Sequence, residues 1–212
     1  MIVLGLTGSI GMGKTTTAEM LRALGVPVHD SDDAVHRALA PGGKGVAAVA
    51  AAFPAALDKA KNAIDRKILG GLVFHDPVQK KKLEDILHPL VWEAQQDFLR
   101  ENRRQNRAIV ALDIPLLYEA GAEKKVDKVI VVTCPSFIQR RRVLSRPGMT
   151  EEKFQNILDS QMPDAEKKRR ADFIVQTGLG RAYACNRLKK ILHTLLPGQN
   201  HDPHRKDFPP QP

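Results

Sequence analysis

The sequence has few cysteines, few aromatic residues and no long apolar run. Its two cysteines, Cys134 and Cys185, are too few for a disulfide framework or a metal cluster, and we interpret them as reduced thiols of a cytoplasmic protein. No apolar stretch approaches the roughly 20 residues that span a bilayer, and the apolar residues 1–6 lack the basic flank of a signal peptide. Aromatic residues make up 5% of the chain, and none interleaves with a basic stretch as base stacking would require. We therefore expect neither a membrane-spanning segment nor an aromatic surface for base stacking.

The charge is strongly positive. Lysine and arginine number 33 against 24 acidic residues, a formal net charge of +9 in 212 residues. Such an excess attracts polyanions, namely nucleic acid, anionic membranes or phosphate-rich small molecules, and composition leaves all three open. The basic runs, at residues 80–82, 100–107, 140–142 and 167–170, are also compatible with solvated helix faces.

Strand and helix signals alternate along the chain, which predicts an α/β fold with a parallel sheet flanked by helices. Short apolar or β-branched runs predict strands at residues 1–6, 26–29, 108–114, 127–134 and 171–176. Residues 31–107, between the second and third of these strands, are predicted to be mostly helical and too long for a simple crossover. We expect separate helices over 77–87 and from Pro89 to about 104, because proline favours the first turn of a helix.

A glycine-rich loop follows the first predicted strand. Residues 8–15 read GSIGMGKT and match the pattern G-x-x-x-x-G-K-[ST]. Its amides can form an anion-binding nest at a helix N-terminus, while Lys14 adds a charge for the terminal phosphates and Thr15 a hydroxyl ligand for Mg²⁺. A glycine-rich turn with a chance lysine is the alternative, but a buried strand before and a helix after favour the phosphate loop. The predicted nucleotide-binding residues are Gly8, Gly11, Met12, Gly13, Lys14, Thr15 and Thr16.

An acidic turn follows the second predicted strand. Ligands of open α/β sheets bind at the carboxyl ends of the strands, so we expect Asp30 and Asp32 at the same edge as the phosphate loop. A carboxylate there can accept the proton of an acceptor hydroxyl. It can equally cap the following helix, and spacing alone leaves both interpretations open.

An arginine-rich helix precedes a Pro147-Gly148 break and a pair of short charged helices. Arginines stabilise the charge that phosphoryl transfer spreads over the moving group, and Arg142 and Arg146 share a face at helical spacing. We interpret this segment as a lid that excludes water, as a kinase needs. The strand ending at Cys134 is not followed by a guanine-reading motif, which argues against a GTPase switch.

With these features the sequence resembles the dephospho-CoA kinase family, which phosphorylates the ribose 3′-hydroxyl of dephospho-CoA with ATP in the last step of coenzyme A synthesis. The resemblance covers about residues 2–196. It rests on residues 6–15 (LTGSIGMGKT), 29–32 (HDSD), 74–77 (FHDP), 87–90 (LHPL), 113–119 (DIPLLYE) and 171–175 (ADFIV), with the lid positions Gln139, Arg140, Arg146 and Gln161. The family usually has Gly, Ser and Ser where this chain has Ser9, Met12 and Thr15, and Asn where it has Gln176.

The resemblance implies a role for several residues. Asp32 is the expected catalytic base, while Lys14 and Arg140 neutralise the triphosphate, with Arg146 also at the nucleotide. His88, Leu116 and Arg66 are expected at the acceptor; His88 could instead be a core histidine at a helix boundary, and Arg66 an exposed helix arginine. Asp113 either helps to order Mg²⁺ or caps a turn.

The resemblance also implies a domain organisation. Residues 1–30, 108–139 and 171–196 are expected to form the nucleotide-binding core, residues 31–107 a helical acceptor-binding insertion, and residues 140–170 a helical lid. Residues 197–212, rich in Pro, His, Asn and Gln, are expected to be a disordered tail. We expect a cytoplasmic monomer or weak homo-oligomer whose partners are ATP and dephospho-CoA, and neither nucleic acid nor a membrane.

Two other functions remain possible at this point. Another small-molecule P-loop kinase, acting on a nucleoside or nucleotide, would share the loop and the lid. A basic, ATP-regulated nucleic-acid-binding protein would share the loop and the charge, and would bind DNA or RNA with a steep dependence on salt.

Overall fold

A computed structural model describes residues 1–73 and 76–196 of the chain. The described residues divide into two compact units, the first formed by residues 1–28 and 106–196, the second by residues 29–73 and 76–105. The predicted tail at residues 197–212, and the Phe74-His75 pair of one family signature, lie outside the described residues. No helix of the described ranges is long and apolar enough to cross a membrane.

The first unit contains the predicted strands and the helices that alternate with them. Its strands are β1 (Ile2–Thr7), β5 (Ile109–Asp113), β6 (Lys128–Thr133) and β7 (Phe173–Gln176), and β2 (Val28–Asp30) crosses into the second unit. Its helices are α1 (Lys14–Ala23), α6 (Ser136–Leu144), α7 (Glu151–Asp159), α8 (Asp164–Arg170) and α9 (Arg181–Leu195), with a short 3₁₀ turn at Ala122–Lys125. The sequence prediction of these strands, and of an α/β fold, is confirmed.

The strands form a five-stranded sheet in the order β2-β5-β1-β6-β7, and β1 pairs in parallel with both β5 and β6. The central strands are largely apolar because helices cover both of their faces. The core of this unit brings together side chains of the sheet, of α1 and of α9, among them Leu4, Leu21, Ile130 and Leu188. Because β5 and β6 both run parallel to β1, the carboxyl ends of the three strands lie side by side at one edge.

The second unit is mostly helical, as predicted, but it also contains a small hairpin that was not predicted. Its helices are α2 (Ser31–Leu39), α3 (Val46–Ala52), α4 (Arg66–Val73) and α5 (Pro77–Arg104), with a 3₁₀ turn at Pro54–Ala56. Strands β3 (Leu57–Asp58) and β4 (Ala63–Ile64) pair antiparallel. Asp and Asn favour turns, and both occur at the turn between these strands. The Asp58 carboxylate accepts two backbone N–H groups, and Asn62 has a positive φ of 47°.

Helix α5 corrects one prediction. The two helices expected on either side of Pro89 form one continuous helix of 28 residues. Proline removes one backbone hydrogen bond from a helix interior, which usually breaks the helix. Here Leu87 and Leu90 on both sides of the proline pack into the same apolar cluster of the second unit, and that packing favours continuity.

Candidate active site

The phosphate loop connects β1 to α1, and its shape depends on glycine. A Cβ atom at Gly8 would lie 2.6 Å from the carbonyl oxygen of Val132 on the neighbouring strand, so only glycine allows this approach. Gly13 is the residue before α1 and has a φ of 93°, which other residues resist. The loop therefore brings its backbone to the N-terminus of a ten-residue helix at the carboxyl edge of the sheet.

Lys14, the first residue of α1, forms an ion pair with Asp113, the last residue of β5. The distance from Lys14 Nζ to Asp113 Oδ1 is 2.5 Å, and the Asp113 side chain is almost completely buried. The pair follows from sheet register, because Asp113 lies opposite Leu6 at the end of β1. Asp113, predicted either to help hold Mg²⁺ or to cap a turn, is thus the counterion of the phosphate-loop lysine.

Met12 lies in the loop but points its side chain into the protein. Its Sδ accepts the N–H of Cys134 at 3.2 Å, and its side chain is buried. Burial raises the pKa of the Cys134 thiol, the largest of several influences on it. Any contact of Met12 with a nucleotide is therefore left to its backbone and stays a prediction, as do those of Thr15 and Thr16, which follow Lys14 in the first turn of α1.

Thr177, just after β7, holds the phosphate loop in a way that the sequence analysis missed. Its hydroxyl donates to the Met12 carbonyl oxygen at 2.6 Å and accepts from Arg142 Nη1 at 3.0 Å. Arg142 Nη2 also donates to the Thr177 carbonyl oxygen at 3.2 Å. The sequence analysis noted only the residue before it, Gln176, where the family usually has Asn.

Two glutamines at positions of the family's lid pattern also contact the loop. Gln139 Nε2 donates to the carbonyl oxygen of Ile10 at 2.8 Å, and the Ile10 N–H donates to Gln161 Oε1 at 3.1 Å. Both glutamines were identified in the sequence as positions of a family pattern, without a role. In the structure, Gln139 binds the carbonyl oxygen of Ile10, and Gln161 binds the N–H of the same residue.

The predicted catalytic arginine is engaged elsewhere. Arg140 on α6 forms a two-point ion pair with Glu151 at the start of α7, at 3.0 Å and 2.6 Å, and both side chains are exposed. Thr150 caps α7, since its hydroxyl accepts the N–H of Lys153. Arg146 is exposed beyond the end of α6. A role of Arg140 and Arg146 at the triphosphate stays a prediction, and for Arg140 it requires release from Glu151.

Behind the sheet edge, an ion pair with a fully buried lysine fixes the segment after α7. Lys167 of α8 has no exposed side-chain area, and its Nζ lies 2.8 Å from Glu119 Oε1, which also accepts the N–H of Met162 at 2.8 Å. Burial raises the pKa of Glu119, but the hydrogen bonds from Lys167 and from backbone N–H groups outweigh it and leave the pKa below its ordinary value.

In the second unit, Asp30 and Asp32 of the acidic turn have different surroundings. The Asp30 carboxylate caps α2 by accepting the N–H groups of Asp32 and Asp33 at 2.9 Å and 3.1 Å, so the capping interpretation holds for Asp30. The Asp32 side chain is exposed and makes no hydrogen bond or ion pair within residues 1–73 and 76–196. Asp32 therefore keeps a carboxylate available for chemistry.

His29, directly before this turn, is buried with its ring 5.3 Å from that of Phe98. Burial, followed by the positive charge of Arg37, lowers the pKa of this imidazole, and the nearby Asp30 and Asp33 only partly oppose the shift. His29 is therefore a neutral neighbour of the acidic turn at physiological pH.

The predicted acceptor residues are all exposed. His88 lies on the surface in the middle of α5, so the alternative of a core histidine at a helix boundary is wrong. Arg66 is exposed at the start of α4, and Leu116, in the loop after β5, exposes 45% of its area. Their contacts with an acceptor stay predictions. No group of three or more His, Cys, Asp or Glu side chains in the described ranges could hold a metal ion by itself.

Known proteins resemble this chain along nearly its whole length. The family model for dephospho-CoA kinase matches residues 2–180. A dephospho-CoA kinase of Agrobacterium fabrum is 53% identical over 195 residues, 92% of this chain and 98% of that protein. One from Mesorhizobium japonicum is 52% identical over 197 residues, covering 92% and 97%.

Solved structures agree with this match. The crystal structure of TT1252 from Thermus thermophilus has a TM-score of 0.79 and 34% identity, covering 93% of this chain and 98% of that one. Dephospho-CoA kinase from Campylobacter jejuni has a TM-score of 0.65 and 27% identity, covering 91% and 96%.

Proposed function

The chain belongs to the dephospho-CoA kinase family, and we propose that it transfers the γ-phosphoryl group of ATP to the ribose 3′-hydroxyl of dephospho-CoA with Asp32 as the general base. Phosphorylation of dephospho-CoA with ATP, the final step of coenzyme A synthesis, is the activity of this family. The observation that carries the assignment to this chain is the phosphate loop with Lys14 at its helix end, inside a match that spans most of the sequence.

The first unit supplies the groups for the triphosphate. Loop amides at the N-terminus of α1 and the Lys14 ammonium attract phosphate oxygens. The Lys14 charge is already oriented by Asp113, so binding requires little rearrangement of this side chain. Arg140 and Arg146 complete the charge neutralisation when the transferred group develops negative charge.

The oxygen donors of this unit fit magnesium. Thr15 offers a hydroxyl beside Lys14, and Asp113 a carboxylate at the sheet edge. Mg²⁺ prefers such hard oxygen ligands and usually takes only one or two from protein, with water and substrate phosphates completing its shell. When bound, the ion neutralises phosphate charge.

Asp32 is the base in this proposal. A ribose hydroxyl is a poor nucleophile at neutral pH, so its proton needs an acceptor as the new P–O bond forms and the bond from the γ-phosphorus to the leaving oxygen of ADP breaks. The proton passes to Asp32, and ADP leaves with the electron pair. Asp30 is the weaker candidate because its carboxylate already accepts two backbone N–H groups.

We also propose which residues contact the acceptor and where the enzyme works. Arg66, His88 and Leu116 contact dephospho-CoA, and their exposure supports that role. The net charge of +9 suits an enzyme that binds two phosphate-rich ligands. The enzyme works in the cytoplasm, in line with its two cysteines, which we interpret as reduced. It acts as a monomer or weak homo-oligomer.

The test compares Asp32→Asn with the matched control Asp30→Asn. Asparagine keeps most of the shape of aspartate and remains a good helix cap, so both variants should fold. Asp32→Asn should lower kcat by about 10² to 10⁴, the usual cost of losing a general base, while the ATP affinity stays within a few-fold. Asp30→Asn should be milder. If Asp30→Asn is the more damaging, the base is on the other carboxylate; normal turnover by both variants places it outside this turn.

A further inference from the structure

Ile10, at a free position of the phosphate-loop pattern, is the residue at which the lid segment and the loop meet. Its carbonyl oxygen accepts from Gln139 Nε2 at 2.8 Å, and its N–H donates to Gln161 Oε1 at 3.1 Å. Gln139 comes from α6, whereas Gln161 follows the end of α7. Two consecutive peptide planes of the loop are therefore held by two side chains, one from α6 and one from the predicted lid.

The backbone next to Gln161 is held in place by contacts of the following residue. The next residue, Met162, donates its N–H to Glu119, which also binds the fully buried Lys167. Met162 packs against the apolar cluster of Leu117 and its neighbours beneath this edge of the sheet. Gln161 thus reaches the loop from a backbone that is anchored to the core by a charge pair and by apolar contact.

Helix α6 approaches the same part of the loop. The backbone of Gly11 is so close to α6 that a Cβ atom there would lie 2.5 Å from a methyl carbon of Val143 and 3.1 Å from the carbonyl oxygen of Gln139. The Gln139 side chain is buried, so its amide has a defined partner in Ile10. These contacts hold the loop just before the backbone amides that face phosphate in this motif.

We propose that Gln161 is a positioning residue for the nucleotide: by accepting the Ile10 N–H it fixes the orientation of the loop peptides that follow and ties the lid to the phosphate loop. This inference rests on the proposed function, because it assumes that the loop binds ATP. It predicts that Gln161 acts on ATP binding and on kcat, and leaves the KM for dephospho-CoA unchanged.

The size of the effect follows from the contact. One neutral hydrogen bond is lost in Gln161→Ala, which corresponds to about a 3- to 10-fold fall in kcat/KM for ATP. The matched control is Gln155→Ala, a glutamine of α7 that is exposed and bonds only to Asp159 of the same helix among the described residues. Its parameters should stay within about two-fold of the parent, since a surface substitution of this kind has little effect.

The experiment combines amide hydrogen exchange at Ile10, calorimetric titration with ATP, melting temperature and steady-state kinetics on the full chain. In Gln161→Ala the Ile10 amide should exchange faster and ATP should bind more weakly, with little change in melting temperature. In Gln161→Glu an oxygen acceptor remains, so exchange should stay slow, while the added negative charge weakens ATP binding further.

Three results would overturn the proposal: unchanged Ile10 exchange in Gln161→Ala, equally fast exchange in Gln161→Glu, or faster exchange without any change in ATP binding. An equal rise in the KM for dephospho-CoA would also contradict a role confined to the nucleotide. Hydrogen exchange and ATP binding need no turnover. If the parent protein fails to phosphorylate dephospho-CoA but binds ATP, the proposed function fails and this test still stands.

Discussion

Replacement of Glu119 by glutamine should be among the most destabilising single changes in the first unit. The change removes the anion 2.8 Å from the Lys167 ammonium, whose side chain has no exposed area, while that of Glu119 is 18% exposed. Breaking a fully buried ion pair by removing one partner costs about 3 to 5 kcal/mol, because the remaining charge stays buried. Since Glu119 is partly exposed, we expect a loss at the lower end, about 3 kcal/mol. For a chain of this size about 2 to 4 °C of melting temperature are lost per kcal/mol, so the midpoint should fall by about 6 to 12 °C.

The double variant Glu119→Gln/Lys167→Met provides the control. It removes both charges and keeps an amide oxygen that can accept the Met162 N–H, so its free energy of unfolding should return to within about 1.5 kcal/mol of the parent. Urea and thermal unfolding followed by circular dichroism measure both variants. A single variant within about 1 kcal/mol of the parent, or a double variant no more stable than the single one, would refute the reasoning.

The same pair predicts a pH dependence. The pKa of Glu119 is lowered in the folded state from its ordinary value of 4.5, since the bonds from Lys167 and backbone N–H groups outweigh burial. A carboxyl group with a lowered folded pKa stabilises the protein fully above its unfolded pKa, and this contribution is lost as the pH falls through the folded pKa. Between pH 5 and 3 the parent should therefore lose more stability than the double variant, as repeated urea titrations would reveal.

The remaining predictions concern the phosphate loop and the lid. Lys14→Ala should lose most activity while circular dichroism still reports a folded protein, with a lower melting temperature because the buried Asp113 loses its counterion. Activity within about tenfold of the parent would contradict the role of this lysine in phosphate binding. Gly8→Ala should weaken ATP binding in a calorimetric titration, because the new Cβ would lie 2.6 Å from a carbonyl oxygen of β6. The same substitution at Gly70, inside α4 with open space around it, should instead raise the stability by about 0.5 to 1 kcal/mol. Arg140→Ala should lower kcat by a larger factor than it raises the KM for ATP, whereas Glu151→Gln, which releases Arg140, should not lower kcat.

Much of the fold could be predicted because its signals are local. Apolar β-branched runs identified the strands, and the glycine-rich pattern between a predicted strand and a predicted helix identified the phosphate loop. The continuity of α5 through Pro89 could not be predicted, because it depends on packing on both sides of the proline rather than on the proline itself. The β3–β4 hairpin escaped because strands of two residues carry no periodicity.

The site was predicted residue by residue only where a motif covers it. Lys14 was found from its motif, but its counterion Asp113 was assigned other roles, since the pairing depends on which strands become neighbours. The contacts of Ile10 with Gln161 and of Met12 with Thr177 join residues 151 and 165 positions apart. The chain gives no local sign of such contacts. Capping, by contrast, is local, and the structure separates Asp30 as the cap from Asp32 with its exposed carboxylate.

The most direct test of the central claim is ATP consumption by the purified chain across an acceptor panel: dephospho-CoA, nucleosides, nucleoside monophosphates and no acceptor. We predict that turnover is strongest with dephospho-CoA and that ³¹P NMR of the product shows a new phosphate monoester at the ribose 3′ position. Turnover that is strongest with a nucleoside monophosphate, or that is equally fast without an acceptor, would contradict the account.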